Sequence, residues 1–493
     1  MKVLFLSSEV APFAKTGGLG DVAAALPRAL HRHGHDVRVF MPLYARIEQQ
    51  KYRFRSIDSL RGLKVMFGAR SYEVSIFAAL LPGSSKAPGG DAVGGGMEVF
   101  FVHCPALYGR HAIYAHDGDE HLRFLVLQYA ALEAAQRMRF APDVVHCNDW
   151  QTAMTPLLLR TRFAWDGAIF GKTKTVLTIH NLGYQGAFPA SILEETGLAR
   201  SSHLLHQDQL KAGRINFLLH GILYAGAVTT VSPTYAREIR TAEGGVGLDP
   251  FLRARSSTVF GILNGVDYDE WSPQVDRHIP AHYGPADLSG KERCKAALLS
   301  RAHLPSLPGV PLLGIVSRLA AQKGFDLLPD ALSLALREGK FQLVVQGSGE
   351  KRFERLFHEL RARFPRQVRF QTQFDNALAH WIQAGSDFFL MPSRYEPCGL
   401  TQLYALKYGT VPIVRKTGGL ADTVQLWSPR TGTGTGIVFD DYDAKAVHWA
   451  LEAAFNIYRD RPVYRRLQLN GMSQDFSWDH QVQKYEQLYS QLK

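Results

Sequence analysis

Sulfur chemistry has little to work with in this sequence. Its four cysteines, Cys104, Cys147, Cys294 and Cys398, stand far apart and form no Cys-x-x-Cys pair. That spacing argues against a disulfide framework or a thiolate zinc site and suits a reducing compartment. Long apolar runs are also missing, so no stretch reaches the roughly 20 residues that cross a bilayer. The opening MKVLFLSSEV has a short apolar run and then Glu9, without the long apolar region and small-residue cleavage site of a signal peptide. It reads as a first β-strand, and a cytoplasmic location is expected. There is no G-x-x-x-x-G-K-[ST], no strict G-x-G-x-x-G, and no helix-turn-helix, RRM or KH signature. The net charge of +11 is spread out, as in Arg352, Arg355, Arg361, Arg363 and Arg366, and is not interleaved with aromatics. A solvated face or an anionic small substrate accounts for it; neither a nucleic-acid nor a membrane partner is expected.

What is present is a long, repeated alternation. A chain of 493 residues is too long for one core and implies two large domains or three. In the first half, strand candidates at Val3–Leu6, Val37–Phe40, Val99–Val102, Val144–His146, Thr175–Ile179, Val228–Val231 and Val259–Leu263 alternate with helical stretches such as Val22–His33, Leu122–Arg137 and Arg214–Tyr224. Several strands are apolar at consecutive positions, as strands buried on both faces of a parallel sheet must be. The pattern is doubly wound α/β. Two inserts interrupt it: Pro82–Gly96, Gly/Pro/Ser-rich and expected as a flexible loop tip, and the polar, His-rich Gly109–His121. Around Asp267–Pro311 the alternation breaks down. It restarts with strands at Leu312–Val316, Leu343–Gln346, Val368–Phe370, Phe388–Met391, Val411–Val414 and Gly436–Phe439, and ends in a helix over Asp479–Leu492.

The richest stretch is Ser393–Val424. A buried strand leads through Pro392 to a loop with Arg394 and Glu396, and Gly399-Leu400-Thr401 then opens a helix stopped by Gly409. Backbone N–H groups at that helix start and a carboxylate beside them make an anion site with a hydroxyl-binding acid, or an ordinary capped βα unit. Lys15-Thr16-Gly17-Gly18, after the first strand, offers a cation and glycines where backbone can approach a phosphate; a plain capped turn is the alternative. The same letters recur at Lys416-Thr417-Gly418-Gly419, with Asp21 and Asp422 in matching places. A fold repeat or chance reuse of a helix start explains the recurrence. Arg318 and Lys323 share one strand-to-helix loop, a natural clamp for a diphosphate or two solvated cations. His180-Asn181 and Asp149-Trp150 stand at other strand ends, suited to sugar hydroxyls or to packing. Asp117-Gly118-Asp119 has the D-x-D form of a divalent-cation ligand but lies in a polar insert, and His31, His33 and His35 straddle a helix stop; neither is expected to hold a metal.

Taken together, these motifs resemble bacterial glycogen synthase and plant starch synthase, retaining glucosyltransferases of family 5. KTGGLGDV, TIHNLGYQG (Thr178–Gly186), GILNGVD (Gly261–Asp267), SRLAAQKGFDLL (Ser317–Leu328) and EPCGLTQLYALKYGTVPIVRKTGGLADTV occur in that order. The resemblance covers nearly the whole chain. It implies an α/β GT-B fold: Rossmann-like domains at 1–265 and 266–475 facing across a cleft, with 476–493 crossing back to the first. The implied reaction moves α-glucose from ADP-glucose to the non-reducing end of an α-1,4-glucan, without a metal or other cofactor. UDP-glucose as donor, another acceptor, or an inactive glucan-binding protein are the alternatives. The resemblance implies catalytic roles for Lys15, His180, Arg318, Lys323 and Glu396. Lys15, Gly17, Gly18, Arg318, Lys323 and the Gly399-Leu400-Thr401 start approach the diphosphate; Glu396 and His180 hold the donor glucose. Asp21, Asp149, Asn181 and Asn264 are further substrate contacts, and Tyr114 is carried over from a loosely matching region. Gln151 stands where many relatives have a histidine, which puts that position's role in doubt.

Overall fold

The computed structural model describes residues 1–67, 70–84, 96–110, 112–115 and 117–492. Residues 85–95, most of the stretch expected as a flexible tip, lie outside the described residues, as do His111 and His116 of the second insert. The chain forms two compact units: Met1–Val231 with Ala236–Gly265 and Trp478–Lys493, and Val266–Ser477 with the short piece Ser232–Tyr235.

Among the described residues, twelve strands fall in the first unit: β1 (Lys2–Leu6), β2 (Asp36–Pro42), β3 (Arg55–Ser56), β4 (Leu63–Phe67), β5 (Arg70–Leu80), β6 (Glu98–His103), β7 (Val144–Asn148), β8 (Lys174–Ile179), β9 (Ala187–Pro189), β10 (Arg214–Asn216), β11 (Ala227–Thr230) and β12 (Val259–Gly261). The main sheet has the order β12-β11-β8-β7-β1-β2-β6-β5-β3, with β4 paired to β5. From β12 to β6 all pairings are parallel; β5 turns back on β6, β3 and β4 antiparallel. The parallel part was legible as apolar runs. The antiparallel edge was not, because β4 and β5 alternate buried and exposed residues with charged ones facing solvent. One helix expectation is corrected: Arg214–Asn216 is a strand paired with β9, and the helix spans only Phe217–Tyr224, capped by the Asn216 side chain.

The C-terminal helix Trp478–Gln491 belongs to this first unit. Arg32 pairs with its Asp479, His33 and His35 both lie against its Glu486, and buried His146 on β7 meets Tyr489 at 2.6 Å. Two of the three closely spaced histidines thus have a structural employment. Burial raises the Glu486 carboxyl, but the His35 and His33 contacts outweigh it and the net shift is downward.

The second unit holds β13 (Leu312–Val316), β14 (Gln342–Gln346), β15 (Val368–Gln371), β16 (Phe388–Met391), β17 (Val411–Arg415) and β18 (Ile437–Phe439), all parallel, in the order β15-β14-β13-β16-β17-β18. Numbered within the unit, that is 3-2-1-4-5-6, the dinucleotide-binding order, whose switch point falls between its first and fourth strands. Consecutive apolar residues follow from two covered faces. On β16, Phe388 and Leu390 enter one core with Leu328, Leu332 and Leu451, while Phe389 and Met391 enter another with Leu298, Ile382 and Ala405.

Candidate functional site

In the first unit the singled-out residues collect at the carboxyl ends of β1, β7, β8 and β12, where an open α/β sheet takes its ligands. After β1, the Lys-Thr-Gly-Gly turn leads into the helix Gly18–Arg32, with Gly17 as its N-cap. Lys15 Nζ donates to Asp21 at 2.8 Å, both partly exposed. The turn is held by a residue that motif reading passed over: buried Glu9 accepts from Thr16 N (2.5 Å), Thr16 Oγ1 (2.8 Å) and the Tyr114 hydroxyl (2.5 Å). A lone carboxylate right after an apolar first strand was the available signal. Tyr114 also meets Ser8 Oγ at 2.8 Å, so it belongs to this cluster.

At the end of β7, Asn148 Nδ2 donates to Leu6 O of β1, which leaves its Oδ1 to accept from His180 Nε2 at 2.9 Å. That arrangement puts the His180 proton on Nε2 and leaves Nδ1 as an acceptor, and burial pushes the ring down to about 3, so it is neutral at working pH. Asp149 sits at φ +52, a left-handed conformation that a non-glycine residue adopts only when its surroundings demand it. Its Oδ1 accepts from the backbone N–H groups of His180 (2.7 Å) and Asn181 (3.4 Å), and the Asn181 side chain accepts from Gly183 N. Asn264, beyond β12, has a buried Oδ1 with no partner among the described residues, as does Gln151 Oε1; such orphaned acceptors call for an explanation.

Burial lifts the Asp149 carboxyl to about 7, against the pull of those two N–H groups. The folded-state value exceeds the unfolded one. Between about pH 4 and 7 the native protein therefore keeps a proton that the unfolded chain has released. The stability Asp149 contributes is full below about pH 4 and is lost as pH rises through about 7. Asp149→Asn stays neutral, so it should gain on wild type by about 2–3 kcal/mol between about pH 5 and 8. Melting temperatures of the two proteins across that range check this; a gap that does not widen with pH contradicts it.

In the second unit, β13 runs into Ser317 and exposed Arg318, whose guanidinium has no partner among the described residues. The loop then forms a short turn over Ala321–Lys323. Gly324 follows at φ +72, where a Cβ would overlap the Pro392 carbonyl oxygen, so a glycine is what lets this loop seat against the end of β16. Lys323 Nζ donates to Glu396 Oε2 at 2.6 Å, and Ser393 Oγ donates to the same oxygen at 3.0 Å. Glu396 Oε1 takes no hydrogen bond among the described residues. Gly399 stands at φ +73, Leu400 caps the helix Thr401–Lys407, and the Thr401 hydroxyl is turned to Met391 Sδ. The structure thus joins Lys323 to Glu396 directly, while Arg318 stands apart from that pair. The D-x-D aspartates are both spent on Arg110. No three His, Cys, Asp or Glu side chains are placed to hold a metal, and no helix is long and apolar enough to cross a membrane, among the described residues.

Known proteins resemble the chain along nearly its whole length. Residues 2–254 match the family model described as the starch synthase catalytic domain, and residues 300–471 that of glycosyl transferases group 1. The chain is 46% identical to a glycogen synthase of Anaeromyxobacter sp. (strain Fw109-5), over 100% of this chain and 99% of that one. It is 45% identical to a glycogen synthase of Myxococcus xanthus (strain DK1622), over 100% and 99%. Among solved structures, the catalytic domain of starch synthase IV from Arabidopsis thaliana, bound to ADP and acarbose, superposes with a TM-score of 0.90 at 37% identity, covering 99% of this chain and 98% of that one. The fold is GT-B, and the chain belongs to the glycogen and starch synthase family of glucosyltransferases.

Proposed function

We propose that this chain transfers α-glucose from ADP-glucose to the non-reducing end of an α-1,4-glucan, with retention of configuration. The observation that carries the reading is the Lys323–Glu396 pair at the carboxyl ends of β13 and β16, an ammonium beside a buried carboxylate that keeps one oxygen open. Glu396 Oε1 suits a sugar hydroxyl. Lys323 and Arg318 suit the departing diphosphate and supply neutralising charge, and Lys15 in the first unit is assigned to phosphate as well, so the reading asks for no metal. At Gly17 an added Cβ would meet no protein atom, so the fold itself does not demand a glycine there. Close approach of the donor, to Gly17 and with it Gly18, gives it a reason. Neutral His180, with Nδ1 as acceptor, suits a donor-sugar hydroxyl; Asp149, Asn181 and Asn264 are assigned to sugar contacts beside it, and Asp21 to holding Lys15.

The ADP in the Arabidopsis structure supports an adenine nucleotide as the donor's carrier. In the retaining step the bond from glucose C1 to the diphosphate oxygen breaks. The acceptor hydroxyl oxygen bonds to C1 on the same face, and its proton passes to the leaving phosphate. The protein contributes placement and charge, with no side-chain nucleophile. Purified protein with radiolabelled ADP-glucose and glycogen should yield labelled polymer, with UDP-glucose a poorer donor and the rate unchanged by EDTA. Failure to label glycogen from either donor would sink the reading.

A further inference from the structure

In the first Lys-Thr-Gly-Gly turn two N–H groups, those of Thr16 (2.5 Å) and more distantly Gly17 (3.4 Å), go to the Glu9 carboxylate. The second turn, which has no role so far, contacts main-chain carbonyls. Gly418 stands at φ +44, and a Cβ there would overlap the carbonyl oxygen of Glu396; at Gly419 it would overlap that of Cys398. Gly419 N donates to Glu396 O (3.0 Å) and Pro397 O (3.2 Å). Pro397 O also accepts from the buried Ser232 hydroxyl at 2.6 Å. Two residues on, within the same unit, Thr234 gives both its backbone N–H and its hydroxyl to the Asp422 carboxylate, each at 2.7 Å. From the other side, buried Gln402 Nε2 donates to Cys398 O and Gly399 O, both at 3.0 Å, and the Thr423 hydroxyl donates to Gly419 O at 2.6 Å.

The carbonyls of residues 396–399 are therefore all held by one buried shell, on a stretch with no helix or strand of its own. We infer that the second Lys-Thr-Gly-Gly-Leu-Ala-Asp segment is a seat for the Glu396 loop and not a second ligand site. Gly418 and Asp422 are then positioning residues that act through Glu396. Gly418 lets the turn pass under the Glu396 peptide, and Asp422 holds the turn to Thr234. The inference rests on the donor-sugar role proposed for Glu396.

Displacement of a reacting group by about 1 Å costs on the order of 10²-fold. Gly418→Ala should therefore lower kcat/KM for ADP-glucose by about that factor, with ADP affinity by calorimetry unchanged. Asp422→Asn keeps one acceptor for Thr234 and should lose about 10-fold. In a Glu396→Ala background neither substitution should cost anything further, since the group being positioned is gone. Losses that multiply in that background overturn the seat, because a merely structural role is additive. If Gly418→Ala does not fold, seen as lost ADP binding, Asp422→Asn carries the same cycle. If the Glu396→Ala rate is too small to measure, the ratio of Kd for ADP to Kd for ADP-glucose replaces it. That ratio should fall in Glu396→Ala, Gly418→Ala and Asp422→Asn, and no further in the double variants; a further fall overturns the seat. An inactive wild-type enzyme would instead refute the proposed activity, so the two failures are distinguishable.

Discussion

Glu396→Ala is expected to lower kcat by about 10²–10³-fold while the protein stays folded and binds ADP as before. The size follows from where the carboxylate stands. Glu396 is 5% exposed, and one of its oxygens is already engaged by Lys323 and Ser393. The other takes no hydrogen bond among the described residues, and on the proposed reading it accepts a donor-sugar hydroxyl. The stability cost should be modest, of order 1–3 kcal/mol, because Lys323 remains partly exposed and water can hydrate it. Glu396→Gln keeps the shape and one acceptor, so its loss should be smaller than that of the alanine variant. The measurement is steady-state transfer to glycogen alongside ADP calorimetry and a melting curve. Near-normal turnover in Glu396→Ala would remove the residue from the reaction; lost ADP binding would show that it braces the nucleotide instead.

Much of the architecture could be read from the chain because parallel strands covered on both faces must be apolar at every position, and that pattern needs no partner to be recognised. β13 and β16 were located to the residue, and β14, β15, β17 and β18 to within one. The edge strands β3, β4 and β5 escaped because one-sided burial leaves them mixed with Arg, Lys and Glu. Their pairing is decided by tertiary contact more than by local propensity. The candidate site divides in the same way. Residues marked by glycines and strand ends, such as Lys15, Asp149 and Glu396, were visible as spacing. Glu9, Asn148 and Ser232 were not, since nothing in a one-dimensional pattern says that Glu9 caps the Thr16 turn, that Asn148 sets the His180 tautomer, or that Ser232 reaches Pro397. Identical letters were misleading in one respect. Lys15 pairs with Asp21 inside its own motif, whereas Asp422 serves Thr234 and Lys416 turns to Asp440.

Lys323→Gln is the sharper test, because its direct contact with Glu396 gives the lysine two possible employments. As the counter-charge to the departing diphosphate, its ammonium gains strength as negative charge builds on the bridging oxygen. Removing it should then cost roughly 2 kcal/mol or more of transition-state stabilisation, a fall in kcat/KM of about 30-fold. In that case ADP also binds more weakly, since the product diphosphate keeps the same contact, and Lys323→Arg recovers part of the loss by restoring charge without the same reach. As a strut for Glu396 alone, Lys323→Gln would leave ADP affinity untouched, and its effect would vanish in a Glu396→Ala background. The geometry favours the first outcome. The Lys323 side chain is 18% exposed and its ammonium lies 2.6 Å from Glu396, and an ammonium has three donors, so one bond to a carboxylate leaves two for a phosphate. Weaker ADP binding in Lys323→Gln beside unchanged ADP binding in Glu396→Ala would divide the pair into a phosphate-binding half and a sugar-binding half.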